Sequence, residues 1–215
     1  MKSIKHHLTD ALLMSYAAGT LPEAFGLVVA THVSMCDECR ARAESFDAVG
    51  GGLLEEGPVS AVSADCLAAT MALIREAKAE REERKPHVAG VLPQPLQDYV
   101  GGDLSAIKWR SAGLGVKQAI LSTADGATAR LLYIPAGAAV PDHGHRGTEL
   151  TLVLQGAFRD QTDYFGRGDV EVANEDLKHT PVADIGEDCI CLAATDAPLR
   201  FSSWLPRLAQ PFLKI

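Results

Sequence analysis

Six of the seven histidines in this 215-residue chain fall into two clusters, each mixed with cysteine or glutamate. His6, His7 and His32 lie near Cys36 and Cys39, whereas His143, His145 and His179 lie around Glu149. His87 stands alone in a polar connector. Histidine and cysteine are the preferred nitrogen and sulfur ligands of borderline metals, so this distribution points to two metal sites on two separate domains.

Composition fits that arrangement. With 47% hydrophobic and 22% charged residues, the chain has the make-up of a globular protein of one or two domains, which excludes disordered and collagen-like classes. The longest apolar runs, such as Leu150–Leu154, fall far short of the roughly 20 residues of a membrane span. Met1–Lys5 leads into no apolar signal segment, so the expected location is the cytoplasm. There are 9 basic and 13 acidic residues before Pro95, and 11 and 15 after it, so each half carries −4. The absence of a basic face argues against direct binding to nucleic acid and leaves room for a basic protein partner. The five cysteines are an odd number and include the close pairs Cys36/Cys39 and Cys189/Cys191. In a chain without an export signal this favours metal-binding or oxidant-sensing thiols over a disulfide framework.

The periodicity divides the chain. From Thr9 to Lys85 it is helical: Leu12, Leu13, Tyr16 and Ala17 share a face, with Thr9 as N-cap and Gly19 as stop. Pro22 opens a second helix, Glu23–Val33, and a third is expected over Asp37–Val49, ending at Gly50-Gly51-Gly52. Ser63 is the expected cap of a fourth, with Leu67, Met71 and Ile74 as its apolar stripe and a charged, solvated end over Glu76–Lys85. Lys85–Pro95 has linker composition. Beyond it, segments such as Arg130–Ile134, Glu149–Phe158, Asp169–Ala173 and Cys189–Ala194 are short and separated by Gly, Pro and Asp turns, an antiparallel all-β pattern. The expected domains are therefore 1–85 and 96–215, joined by a linker at 86–95.

In the first cluster, His32, Cys36 and Cys39 stand at i, i+4 and i+7, which on one helix differ by only about 40° in direction. If the helix instead breaks near Ser34–Met35, the Cys-x-x-Cys segment becomes a turn at the next helix start, where backbone amides help keep thiolates ionised. Either geometry converges three ligands, and a closed zinc site needs a fourth, which His6 or His7 can supply.

The second cluster runs from Gly137 to Gly156 and fills every position of the first cupin motif, G-x5-H-x-H-x3-E-x6-G. In a strand, residues of equal parity point the same way, so His143, His145 and Glu149 can line one interior face. The usual second motif contains Pro-x-Gly-x-x-His. Here Asn174-Glu-Asp-Leu-Lys-His179 keeps the histidine and lacks the Pro and Gly. The resemblance implies an all-β cupin barrel whose metal ligands are His143, His145, Glu149 and His179. Cys189 and Cys191 share a strand face and are expected to be small core residues, the alternative being oxidisable thiols facing the metal; Cys66 is expected in the core of its helix, and Trp109 and Trp204 as packing residues of the β domain.

His-x3-Cys-x2-Cys with an upstream histidine, in a short helical domain, resembles the zinc-binding anti-sigma domain. Together with the stretches Leu12–Thr20 and His32–Arg42 and the cupin motif, it makes the chain similar to the ChrR-type anti-sigma factors. That resemblance favours His7 as the ligand beside His32, Cys36 and Cys39, and it implies zinc in both domains. It further implies a 1:1 complex with an extracytoplasmic-function (ECF) sigma factor, ended by singlet oxygen or related peroxides sensed at the cupin metal, with Cys36 and Cys39 mainly structural. An acidic chain suits a basic sigma surface. Phe25, Leu27 and Val33 are candidate interface residues. The competing reading is a metal-dependent cupin dioxygenase or isomerase with a helical accessory domain, although no further base, nucleophile or cofactor fingerprint accompanies the metal ligands.

Overall fold

The computed structural model describes residues 3–77, 89–201 and 210, so His87, Trp204 and most of the charged stretch after Glu76 lie outside the described residues. Among the described residues five α-helices precede the strands: α1 (Asp10–Ala17), α2 (Glu23–Val33), α3 (Asp37–Glu55), α4 (Cys66–Glu76) and α5 (Gln94–Val100). Thr9 caps α1 as expected, its hydroxyl accepting from the Leu12 N–H at 3.3 Å. Helix α3 runs through the three glycines instead of stopping at Val49. Each glycine costs a helix only about 1 kcal/mol, and among the described residues nothing lies within 4 Å of where a Cβ would sit on any of the three. Neither α5 nor its extent was apparent from the pattern: it starts inside the expected linker, where Leu92 and Leu96 are buried in the core.

The strands are β1 (Arg110–Gly113), β2 (Val116–Ile120), β3 (Thr128–Ile134), β4 (His143–Gly144), β5 (Glu149–Gln155) and β6 (Ala157–Arg159), followed by β7 (Tyr164–Gly166), β8 (Val170–Ala173), β9 (Lys178–His179), β10 (Val182–Ala183), β11 (Cys189–Thr195) and β12 (Arg200–Phe201). All named pairings are antiparallel. They form a six-stranded sheet, β1-β2-β3-β11-β5-β8, and two three-stranded sheets, β10-β6-β7 and β12-β4-β9. The β half thus has the expected strand content, but its sheets stay open where a closed barrel was expected. Strands β4, β9, β10 and β12 are two residues long, too short to carry the long-range pairing that would close the circuit.

The large sheet is covered on both faces, and side-chain alternation sorts its residues. Leu131, Leu150, Leu152, Leu154, Ile190 and Leu192 join one core with Val28 and Val29 of α2 and Leu96 of α5. On the opposite face Val153, Cys189 and Cys191 pack with Phe158 and Phe165. Arg130, Thr151 and Glu171 have the same outward parity and are also buried. One face of the sheet is therefore plain hydrocarbon against helices, while the other holds buried polar groups. Phe25 and Leu27, expected as interface candidates, are core residues, at 4% and 7% exposure. Cys66, expected in the core, is exposed, and α4 buries none of its residues.

At the end of β5 the chain reverses at Gly156, with φ +66°. A Cβ there would lie 2.7 Å from the backbone oxygen of Asp188, so only glycine fits this turn. Gly137 at the other end of the motif also has positive φ, +74°.

Two candidate metal centres

Helix α2 ends at Val33, and the Cys-x-x-Cys segment forms a turn into α3 with Cys36 at the N-cap. Of the two geometries the spacing allowed, the broken helix is the one adopted. His32 sits on the last turn of α2, Cys39 in the first turn of α3, and His7 in the irregular segment ahead of α1. His7 Nδ1 lies 3.3 Å from Cys36 Sγ and 3.6 Å from Cys39 Sγ. One ligand atom from each of His7, His32, Cys36 and Cys39 falls within 4.8 Å of all the others. Ligand pairs on a tetrahedral zinc ion, with bonds of about 2.0–2.3 Å, are about 3.3–3.8 Å apart, so the donor set fits that ion. His32 supports the fit independently. Its Nδ1 donates to the Gly168 carbonyl at 2.9 Å, which fixes the tautomer and leaves the Nε2 lone pair buried, without a hydrogen-bond partner among the described residues. His6 turns the other way, bonding Asp163 at 3.0 Å and lying against Phe165.

Burial sets the protonation of this centre in the metal-free chain. It depresses the His32 pKa to about 4, so that ring is neutral, and raises the Cys39 thiol to about 11. Zinc must then displace the Cys39 proton. We expect the zinc affinity of this site to rise about tenfold per pH unit for each thiol proton displaced. Chelator competition at pH 6, 7 and 8 measures that slope, and an affinity independent of pH would contradict it.

The second cluster is built by β4 and β9, which place His143 directly opposite His179. His179 Nε2 lies 3.2 Å from His143 Nε2 and 3.3 Å from His145 Nε2. His143 Nδ1 donates to the Pro141 carbonyl at 2.9 Å, and His179 Nδ1 donates to Asp160 at 2.8 Å. With both Nδ1 positions committed as donors, the two Nε2 atoms of the neutral rings would meet as lone pairs, a contact relieved either by a cation between them or by a proton on His179, whose pKa, against its burial, is raised by Glu171 and Asp160. Burial holds His143 and His145 neutral, each down to about pH 4. The trio therefore has the chemistry of an imidazole metal site, and its donors are shared by several first-row metals.

Glu149 stands apart from the three Nε2 atoms. Its Oε2 is 3.9 Å from His145 Nδ1, and its Oε1 accepts from the Thr151 hydroxyl at 3.2 Å. Burial raises its pKa to about 7 despite that hydrogen bond and nearby Arg130. Two carboxylates that the motif does not mark lie closer to the trio: Asp160, and Glu171 at 3.2 Å from His179 Nδ1. Burial opposes ionisation of Asp160, but bonds from Thr162 and His179 outweigh it and pull its pKa well down. A charged residue inside the apolar strand Val170–Ala173 was the available signal for Glu171; Asp160 had none. Cys189 and Cys191 face each other with sulfurs 3.5 Å apart in the core below the site. Their mutual hydrogen bond and burial push the Cys191 thiol far above its ordinary range, so it is protonated.

Residues 97–198 match the family of ChrR Cupin-like domains. Over 218 residues, 99% of this chain and 100% of the relative, the sequence is 61% identical to the anti-sigma-E factor ChrR of Cereibacter sphaeroides. The chain belongs to the ChrR family. A crystal structure of Rhodobacter sphaeroides SigE in complex with the anti-sigma ChrR contains a chain that is 60% identical, with a TM-score of 0.78 over 90% of this chain and 100% of that one. The likeness to ChrR thus covers both the helical segment with the first cluster and the β half with the second.

Proposed function

We propose that this chain is a regulatory protein, an anti-sigma factor that holds one ECF-type sigma factor in a 1:1 complex in the cytoplasm. The observation that carries this reading is the identity with anti-sigma-E factor ChrR over the full length of both chains. Residues 1–85 act as the sigma-binding part, organised by zinc at His7, His32, Cys36 and Cys39. Residues 96–215, joined through 86–95, carry a second metal at His143, His145 and His179, and Glu149 completes the set by turning away from Thr151 and His145 Nδ1, where it rests in the metal-free chain. Singlet oxygen or a peroxide acting at this second site ends the grip. The net charge of −8 suits a sigma factor whose DNA-binding surface is basic.

A specific surface is available for the grip. The second half of α3 and all of α4 expose large apolar side chains, including Val49, Leu53, Leu54, Leu67 and Ile74. Exposed apolar side chains concentrated on these two helices are what a binding face would offer. Co-expression with the sigma factor, followed by illumination with a photosensitiser, tests the reading. The expected result is a 1:1 complex that dissociates under singlet oxygen, and a His143→Ala complex that forms but resists dissociation. A chain that leaves the sigma factor unbound overturns the proposal.

A further inference from the structure

The two centres are joined by two short segments of the β half, and each segment carries a pair of carboxylates facing opposite ways. In the β6–β7 connection, Asp160 bonds His179 at 2.8 Å, while Asp163, three residues on, bonds the His6 ring at 3.0 Å. At the start of β8, Glu171 lies 3.2 Å from His179 Nδ1. Two residues earlier, Asp169 accepts from the Lys5 and His6 backbone N–H groups at 2.6 and 2.9 Å. The neighbouring backbone joins in: the Val170 N–H donates to the His6 carbonyl at 3.2 Å, and the Gly168 carbonyl receives the His32 ring at 2.9 Å. His6 is bonded covalently to His7, and His32 is itself a ligand candidate. Every ligand of the first centre that precedes Cys36 is thus held by the turn that also flanks His179.

Asp169 is built for this role. It is 5% exposed, and its other oxygen accepts from the Gly166 N–H at 2.8 Å, so its carboxylate fixes the turn and the Lys5–His6 backbone at once. Gly168 fits the turn tightly, with φ +93° and the Ile4 side chain 2.7 Å from where a Cβ would sit.

We propose that these carboxylate pairs couple the two centres, so that a metal at His143, His145 and His179 strengthens zinc binding at His7, His32, Cys36 and Cys39. The proposal rests on reading both clusters as metal sites, and it adds a route by which the state of the second reaches the first. Coupling of this kind is reciprocal and typically shifts an affinity at least about fivefold.

The test uses the full chain loaded with zinc. First-site occupancy is read from protection of Cys36 and Cys39 against alkylation, by mass spectrometry, across a chelator series. The expected result is two zinc equivalents in the wild type and a first-site affinity about fivefold or more weaker in His143→Ala. In Asp169→Asn the first site should be weakened and should no longer respond to His143→Ala. Should Asp169→Asn fail to fold, Asp163→Asn, at an exposed position, supplies the same comparison, with the response to His143→Ala reduced. Equal first-site affinities in wild type and His143→Ala overturn the coupling while leaving both sites in place. A response undiminished in the carboxylate variants overturns the route. A wild-type chain with fewer than two zinc equivalents overturns the metal reading, and the coupling with it.

Discussion

Cys36→Ala is expected to remove zinc from the first centre and to unlock α1 and α3 from each other. Structural zinc contributes about 10 kcal/mol or more to small domains, and little else here could replace it. Helix α3 fully buries only Cys39 and Ala43, and α1 only Leu13, so that beyond the metal the two are joined by half-buried Leu12, Tyr16 and Phe46 and by the partly exposed Arg42–Asp10 pair. Helix α2 differs because it lies across β3, β5 and β11 and shares their core. Hydrogen exchange should therefore show protection lost over 10–17 and 37–49 and retained over 23–33. Sigma binding should fall with it. Full protection in α1 and α3 of the chelated or Cys36→Ala chain would show that the cluster is not what holds these helices.

The second large effect is expected at α4. Replacing Leu67, Met71 and Ile74 together with serine should weaken the complex with the sigma factor by at least about a hundredfold, or about 3 kcal/mol. These three occupy i, i+4 and i+7 and so share one face. Each would contribute about 1.5–3 kcal/mol if fully buried by the partner. Because none of them is buried in the free chain, its melting temperature should move by little. Calorimetric titration and thermal melting of the triple variant measure both quantities. Undiminished affinity would place the grip elsewhere, and a large loss of stability would show that α4 packs on its own chain in solution.

What the sequence disclosed, and what it hid, follows from the range of each signal. Helix α2 was legible to the residue, because Pro22 and the Ser34–Met35 break are local events. His143, His145 and His179 were legible because two short strands and fixed spacing bring them together. The open sheets were not, since closure depends on pairing between strands far apart in sequence. Glu149 has the right parity for an inward carboxylate, but parity fixes only the face, and its oxygens settled by His145 Nδ1 and Thr151. His6 and His7 looked equivalent as neighbours. What separates them is Asp163 and Asp169, more than 150 residues away along the chain, and no local pattern records such a contact.

The bare helix α4 also has a bearing on how long the protein survives. A segment that gains nothing from its own chain opens readily, and a protease finds such a segment first. Docking would shield it, so the lifetime of the regulator would be set by the supply of the factor it restrains. Molecules made in excess would be cleared, and the cell would keep the two in step without a separate control on synthesis.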